Sequence, residues 1–214
     1  MEETPRKDES PQKPAKWLVR SRFSRIVIGS ASVVVIYAAF SILWTHQREQ
    51  QVLMAVKFAR ARVVVGYSGP AWIPAWFREH CPIFDRVHEV ALVRGSLPAK
   101  IFSELGSLSA IKKLRLYDSD TIDVEIQHLK GLSSLNVLDL SHSHISDVGL
   151  AQIKSMKNLE HLFVGNTKIS DEGLRHLSEM PNLKSLDLRS TETTEKGREL
   201  FHRAVPDCVI AANQ

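Results

Sequence analysis

Nine histidines are the residues of this chain best suited to chemistry, and two of them sit close together. The run Ser141 to Asp147 reads SHSHISD, so His142 and His144 stand two apart beside a carboxylate, a pattern that could serve a metal or a base-assisted nucleophile. Two side chains are too few, because zinc takes at least three protein ligands at fixed spacing. The nearest groups in the same register of neighbouring units are Asp118 and Asn166, and of these only Asp118 is a good further ligand. His128 and His176 share another register, but Gln152 lies between them, which puts them two units or about 10 Å apart. No G-x-S-x-G, H-E-x-x-H or phosphate-loop pattern occurs. The expectation is a chain with no catalytic residues, cofactor, resident metal or small-molecule substrate; a metal or hydrolytic site around His142 and His144 is the lesser alternative.

These residues are placed by a repeat. LNVLDLSHSHISDVGLAQIKSMKN from Leu135, LEHLFVGNTKISDEGLRHLSEMPN from Leu159 and LKSLDLRSTETTEKGRELFHRAVP from Leu183 follow one another at an interval of 24 residues. The same interval reaches back to Ile111 and Val87 and forward to Asp207. Self-similarity at this period is the signature of a solenoid. Within a unit, the fourth position (Val90, Leu114, Leu138, Leu162, Leu186, Ile210) and the sixth (Leu92, Leu116, Leu140, Val164, Leu188) alternate as a short strand with one buried face requires. The second half changes to helical spacing: Leu150, Ile153 and Met156, then Leu174, Leu177 and Met180. Each unit is therefore predicted to be a strand, a turn and a helix, and stacked neighbours bury faces that one unit cannot.

Ser146, Ser170 and Thr194 precede the helical stripes and are predicted to cap helix N-termini, with Asp147 and Asp171 favoured by the dipole. Gly149 and Gly173 recur in the first turn despite poor helix propensity, which predicts close packing on the neighbouring unit. Asp147 and Asp171 are thus fold residues. The pattern LxxLxLxxSxISDxGLxxIxxM from Leu135 to Met156 and its near copy from Leu159 to Met180 resemble leucine-rich repeats, most closely the subclass with a D-x-G-L helix start found in F-box-associated and many bacterial proteins. That subclass often has Cys at the ninth position, where this chain has Gly95, Ser119, Ser143, Thr167 and Thr191. A hydroxyl at that position satisfies backbone groups of the loop as well. The resemblance implies an α/β leucine-rich repeat solenoid over 87–206, with five repeats and a capping strand in 207–214, that binds other macromolecules and has no common catalytic residues.

The sheet surface is the expected contact face. Its outward positions include Arg115, Tyr117, Asp139, His161, Phe163, Asp187 and Arg189, and these are the candidate partner-binding residues, with Tyr117, Phe163 and Arg115 at the centre because interface energy concentrates in aromatic and Arg anchors. Residues 87–206 carry 15 Lys plus Arg against 16 Asp plus Glu, so the repeats lack the basic face that nucleic acid requires. A protein partner is expected.

Residues 1–25 carry 7 basic against 4 acidic residues, and 1–16 are nearly free of apolar ones, which predicts a disordered basic tail. Ile26 to Trp44 is an uncharged run of 19 residues, the length of a single transmembrane helix, and Trp44 falls where aromatic rings settle at an interface. Seven basic residues precede this run within twenty positions and four follow it, so the N-terminus is expected in the cytoplasm and the repeats outside it, in the periplasm if the source has two membranes. Residues 45–66 are predicted as a juxtamembrane helix and solvated linker, and 67–86 as an N-terminal cap built on Trp72, Trp76, Phe77 and Phe84. Docking onto a neighbouring membrane complex, through the end of the array or the anchor helix, is the alternative role. Cys81 and Cys208 lie about 24 Å apart by strand spacing, too far for a disulfide.

Overall fold

The computed structural model describes residues 40–47, 49–54, 56, 61–67, 71, 85–95 and 97–213. The tail, most of the run 26–44, the aromatic cap residues and Cys81 lie outside them. Of the two units into which the chain divides, Met1–Leu43 and Trp44–Gln214, the second holds all the elements below.

Seven strands form one sheet in chain order: β1 Arg62–Tyr67, β2 Asp85–Gly95, β3 Lys113–Ser119, β4 Val137–Asp139, β5 His161–Phe163, β6 Ser185–Asp187 and β7 Val209–Ala211. β1 pairs antiparallel with β2, and every later pairing is parallel. The register from β3 to β7 is 24 residues per step, as Leu114↔Leu138, Leu138↔Leu162 and Leu162↔Leu186 show. The helices on the other layer are α1 Ala99–Leu105, α2 Asp123–Ile126, continued as a 3-10 turn Gln127–Gly131, α3 Asp147–Ile153, α4 Asp171–Leu177 and α5 Glu195–Ala204. Leu114, Leu138, Leu162 and Leu186 are 0 % exposed, and so are Ile126, Leu129, Leu150, Ile153 and Leu177 from the helical layer. The core is one continuous column between strands and helices.

The turns that join the layers repeat too. Ser119, Ser143, Thr167 and Thr191 donate their hydroxyls to the carbonyls of Leu116, Leu140, Val164 and Leu188, at 2.7, 2.5, 2.5 and 2.7 Å. The ninth-position hydroxyl therefore closes its own turn. Ser146, Ser170 and Thr194 are the N-caps of α3, α4 and α5, and each side chain accepts from a backbone N–H of its helix.

Ahead of the first coil, Val52, Leu53, Val56 and Ala61 are buried, and Val63 packs against the same core. Val52, Leu53, Val56 and Val63 line one small gap with Val87, Val90, Leu105 and Leu108 of the first coil. The open end of a solenoid must be covered, and the helical residues 49–54 and 56 together with β1 cover it. Glu49 is carried into this contact, 4 % exposed and 3.7 Å from Arg86. Cys208 is a buried free thiol at the other end, beside β7. Among the described residues no helix is long and apolar enough to cross a membrane.

Candidate partner-binding face

On the sheet face, the strands present their third, fifth and seventh positions outward. At the N-terminal side, Arg115 pairs with Glu89 of the adjacent strand and Lys113 is exposed. In the middle, Val137, Asp139, His161 and Phe163 are half-buried. The seventh positions run Tyr117, Ser141, Gly165, Arg189: a ring, two small buried residues, then a long cation. Tyr117 is 38 % exposed. Between Tyr117 and Arg189 the missing side chains leave a shallow notch of about 390 Å³, with Ser141 and Gly165 in its lining and His142, Asn166, Ser190 and Asn213 along its rim.

The rim is built by an unusual backbone. Asp118, His142, Asn166 and Ser190, one per coil, have φ of 53°, 59°, 55° and 56°. This left-handed turn swings the chain away from the strand, and three of the four are the residue types that tolerate it. The reversal aims three of these N–H groups at carbonyls of the next coil: Asp118 donates to Ser141, His142 to Gly165 and Asn166 to Arg189, at 2.9, 2.9 and 2.8 Å. Side chains bridge the same steps, Asn166 Nδ2 with His142 Nδ1 at 3.0 Å and Asn213 Nδ2 donating to Ser190 Oγ at 3.2 Å. The His142 ring also packs on Tyr117, with centroids 5.0 Å apart.

The leucine rich repeat family model matches residues 133–193. Residues 133–193 are leucine-rich repeats. No curated protein matches the chain. Among solved structures it is similar to internalin C2 of Listeria monocytogenes, at 19 % identity over 52 % of this chain and 55 % of that one, with a TM-score of 0.40. It is similar to the ectodomain of the Arabidopsis thaliana receptor kinase SOBIR1, at 16 % identity over 77 % and 90 % of the two chains and a TM-score of 0.44. A third is the Arabidopsis receptor kinase HAESA, solved with the peptide hormone IDA and the co-receptor SERK1, at 17 % identity over 60 % and 23 % and a TM-score of 0.41. The chain spans little more than half the length of internalin C2 and 38 % of internalin F from the same organism.

The candidate residues fall into three groups. Arg115, Asp139, His161 and Phe163 lie together across adjacent strands, and Tyr117 and Arg189 bound the notch. Asp187 stands on this face in register with Phe163, but it is covered, 6 % exposed. Arg189 closes over it, donating from Nε at 2.9 Å and Nη2 at 2.6 Å, and its own backbone N–H adds a third bond at 3.1 Å. That guanidinium holds the Asp187 carboxyl below the usual carboxylate range. Asp139 makes the simpler form of the same turn, accepting from Ser141 N at 3.0 Å. His142 and His144 part company: His142 joins the rim pair, whereas the His144 backbone bridges to Ile122 and donates to Thr121 O. Among the described residues no three of His, Cys, Asp and Glu are grouped to hold a metal.

The helical side holds the relationship that sequence reading left out. Asp147 accepts from the backbone N–H of Ser170 at 2.9 Å and from its hydroxyl at 2.6 Å. Asp123 does the same for Ser146 at 2.8 and 2.5 Å, and Asp171 for Thr194 at 2.8 and 2.7 Å. Each aspartate therefore fixes the N-cap of the following helix, one coil away. Behind α2 the corresponding place is held by Ala99, and there Glu125 accepts from the Ile122 N–H at 2.7 Å instead. The D-x-G-L spacing carried this signal, because only a contact between coils requires both residues.

Proposed function

We propose that the chain is a membrane-anchored protein whose leucine-rich repeats form a non-catalytic protein-binding module, with the concave sheet face as its contact surface. The observation that carries this reading is Tyr117, an aromatic ring 38 % exposed at the mouth of a notch floored by small buried residues. An aromatic beside a concavity is the arrangement in which interface energy concentrates. Phe163, half-buried among Val137, Asp139 and His161, extends the apolar part of that surface, and Arg115 borders it.

Support for anchoring is the uncharged run 26–44 together with exposed apolar side chains at its end: Phe40 and Trp44 are 60 % exposed and Leu43 51 %. The basic residues ahead of the run favour a cytoplasmic N-terminus and repeats outside the cytoplasm, in the periplasm of a two-membrane bacterium. The test compares partner capture by the full chain with that by the Tyr117→Ala/Phe163→Ala variant. Loss of a specific partner is expected, and capture unaffected by the pair would sink the sheet-face reading.

A second reading, docking of the array end onto a membrane complex, has one observation in its favour. β7 is the outer strand of the sheet, and Val209 on it is 70 % exposed. Val209→Lys would abolish that docking and leave capture through Tyr117 intact.

A further inference from the structure

We propose that two copies of this chain join edge to edge through β1, so that their sheets run into one another about a twofold axis. β1, Arg62–Tyr67, is the outer strand of the sheet, and among the described residues no strand pairs with its other edge. An edge strand presents a row of free N–H and C=O groups, which folds guard with Lys, Pro, a bulge or brevity. β1 has none of these guards. It runs six residues, against three for β7 at the opposite edge, and in RVVVGY the one charge is at Arg62. The irregularity in its pairing belongs to β2: Val64 pairs with Glu89 and Val65 with Val87, so the extra residue is His88 and β1 stays regular. Val64 is 39 % exposed and Val65 44 %, although successive residues of a strand point to opposite faces. Both faces are therefore open at the middle of β1.

The backbone edge calls for a strand, and the side chains of β1 select a second copy of itself. Antiparallel pairing about a twofold perpendicular to the sheet sets the strand against its own symmetry mate. With the axis at Val64, Val64 faces Val64, Val63 faces Val65 and Arg62 faces Gly66; with the axis at Val65, Val65 faces Val65 and Val64 faces Gly66. Neither arrangement opposes like charges, and β-branched side chains meet across the join. β7 is uncharged too, but it offers half the length, and a β1-to-β7 join would be head to tail and propagate rather than close. The perpendicular axis keeps both copies on the same side of the joined sheet. Two candidate partner-binding faces then lie side by side.

The test uses the full chain in detergent micelles, carrying Cys81→Ser/Cys208→Ser so that no native thiol interferes. Facing residues of an antiparallel pair have Cα atoms about 4.5–5.5 Å apart, within disulfide reach. Mild oxidation is expected to link Val64→Cys or Val65→Cys, whichever lies on the axis, into dimers on the order of tenfold faster than Val209→Cys, although Val209 is the more exposed position. Linkage no faster than at Val209 overturns the inference. A mixture of Val64→Cys and Val209→Cys chains that link only to each other shows the head-to-tail join and overturns it as well. Charge supplies an independent readout by sedimentation equilibrium. Val64→Lys or Val65→Lys, chosen at the position that cross-links, is expected to weaken the dimer on the order of tenfold, because it sets two cations face to face. Mixing with chains that carry Glu at the same position is expected to restore it. A wild-type chain that sediments as a monomer, or a dimer indifferent to the Lys variant, overturns the inference and leaves the sheet-face reading standing.

Discussion

The carboxylate of Asp171 occupies the space that a β-carbon on Gly197 would need; the three atoms nearest to that position all belong to Asp171. The same carboxylate caps Thr194, so the glycine makes room for a bond that starts its own helix. Gly197→Ala should therefore destabilise the chain by about 1–3 kcal/mol, the usual cost of overpacking, although alanine is the better helix former. In an Asp171→Ala background the same change should be neutral or stabilising by up to about 1 kcal/mol. A thermal-denaturation double-mutant cycle that shows simple additivity would refute the link.

Acid should weaken the C-terminal coils through two carboxylates. Hydrogen bonds from Thr194 to Asp171, and from Arg189 to Asp187, hold both groups below the usual carboxylate range. A carboxyl whose folded pKa is depressed adds stability above its unfolded pKa, and that stability is lost as pH falls through the folded value. Asp171→Asn and Asp187→Asn should each flatten the fall in melting temperature between about pH 4 and pH 2.

Glu49 should behave in the opposite sense. Burial in the N-terminal cap raises its carboxyl above the usual range, against the smaller pull of Arg86. A raised group stabilises the fold below its unfolded pKa, and that contribution disappears as pH rises through the folded one. Glu49→Gln is expected to raise the melting temperature at pH 7 and to leave it nearly unchanged at pH 4. An equal effect at both values would show that the charge is not what matters.

Ser190 holds φ of 56° without the side chain of the Asn, Asp or His type that tolerates it in the other coils. Ser190→Gly should stabilise by up to about 1 kcal/mol, the strain relieved less the backbone entropy lost. Denaturant titration reads it directly. A loss of stability would mean that the Asn213 bond to Ser190 outweighs the strain.

Much of this fold is legible in the residue order, because a solenoid turns sequence period into spatial neighbours. Leu114, Leu138, Leu162 and Leu186 repeat at the interval that stacks them, and the caps at Ser146, Ser170 and Thr194 follow from local chemistry. The parts that escaped depend on contacts made across the period or outside it. RVVVGY of β1 has no alternation to mark it as a strand, and its place is set by β2. Val52, Leu53 and Val56 look like an ordinary helical stripe until the uncovered first coil supplies something to bury them. On the candidate face, Asp187 stands in register with Phe163, but register says nothing of the Arg189 side chain that folds back over it. The left-handed rim is similarly silent, since Asp118, His142, Asn166 and Ser190 share no residue type.

The aspartate contacts give the array a direction. Every helix from α3 onward begins where the coil before it says it should, and nothing passes back the other way through these bonds. At the far end Glu195 holds the corresponding place on α5. A coil can therefore be copied in tandem only as a unit that takes its cue from the left and hands one on to the right. The segment from Asp147 to Ser170 meets that requirement at both seams, so duplicating it should lengthen the solenoid without a mismatch. A coil cut from elsewhere and inserted after a residue that is not aspartate would arrive with its first turn unspecified.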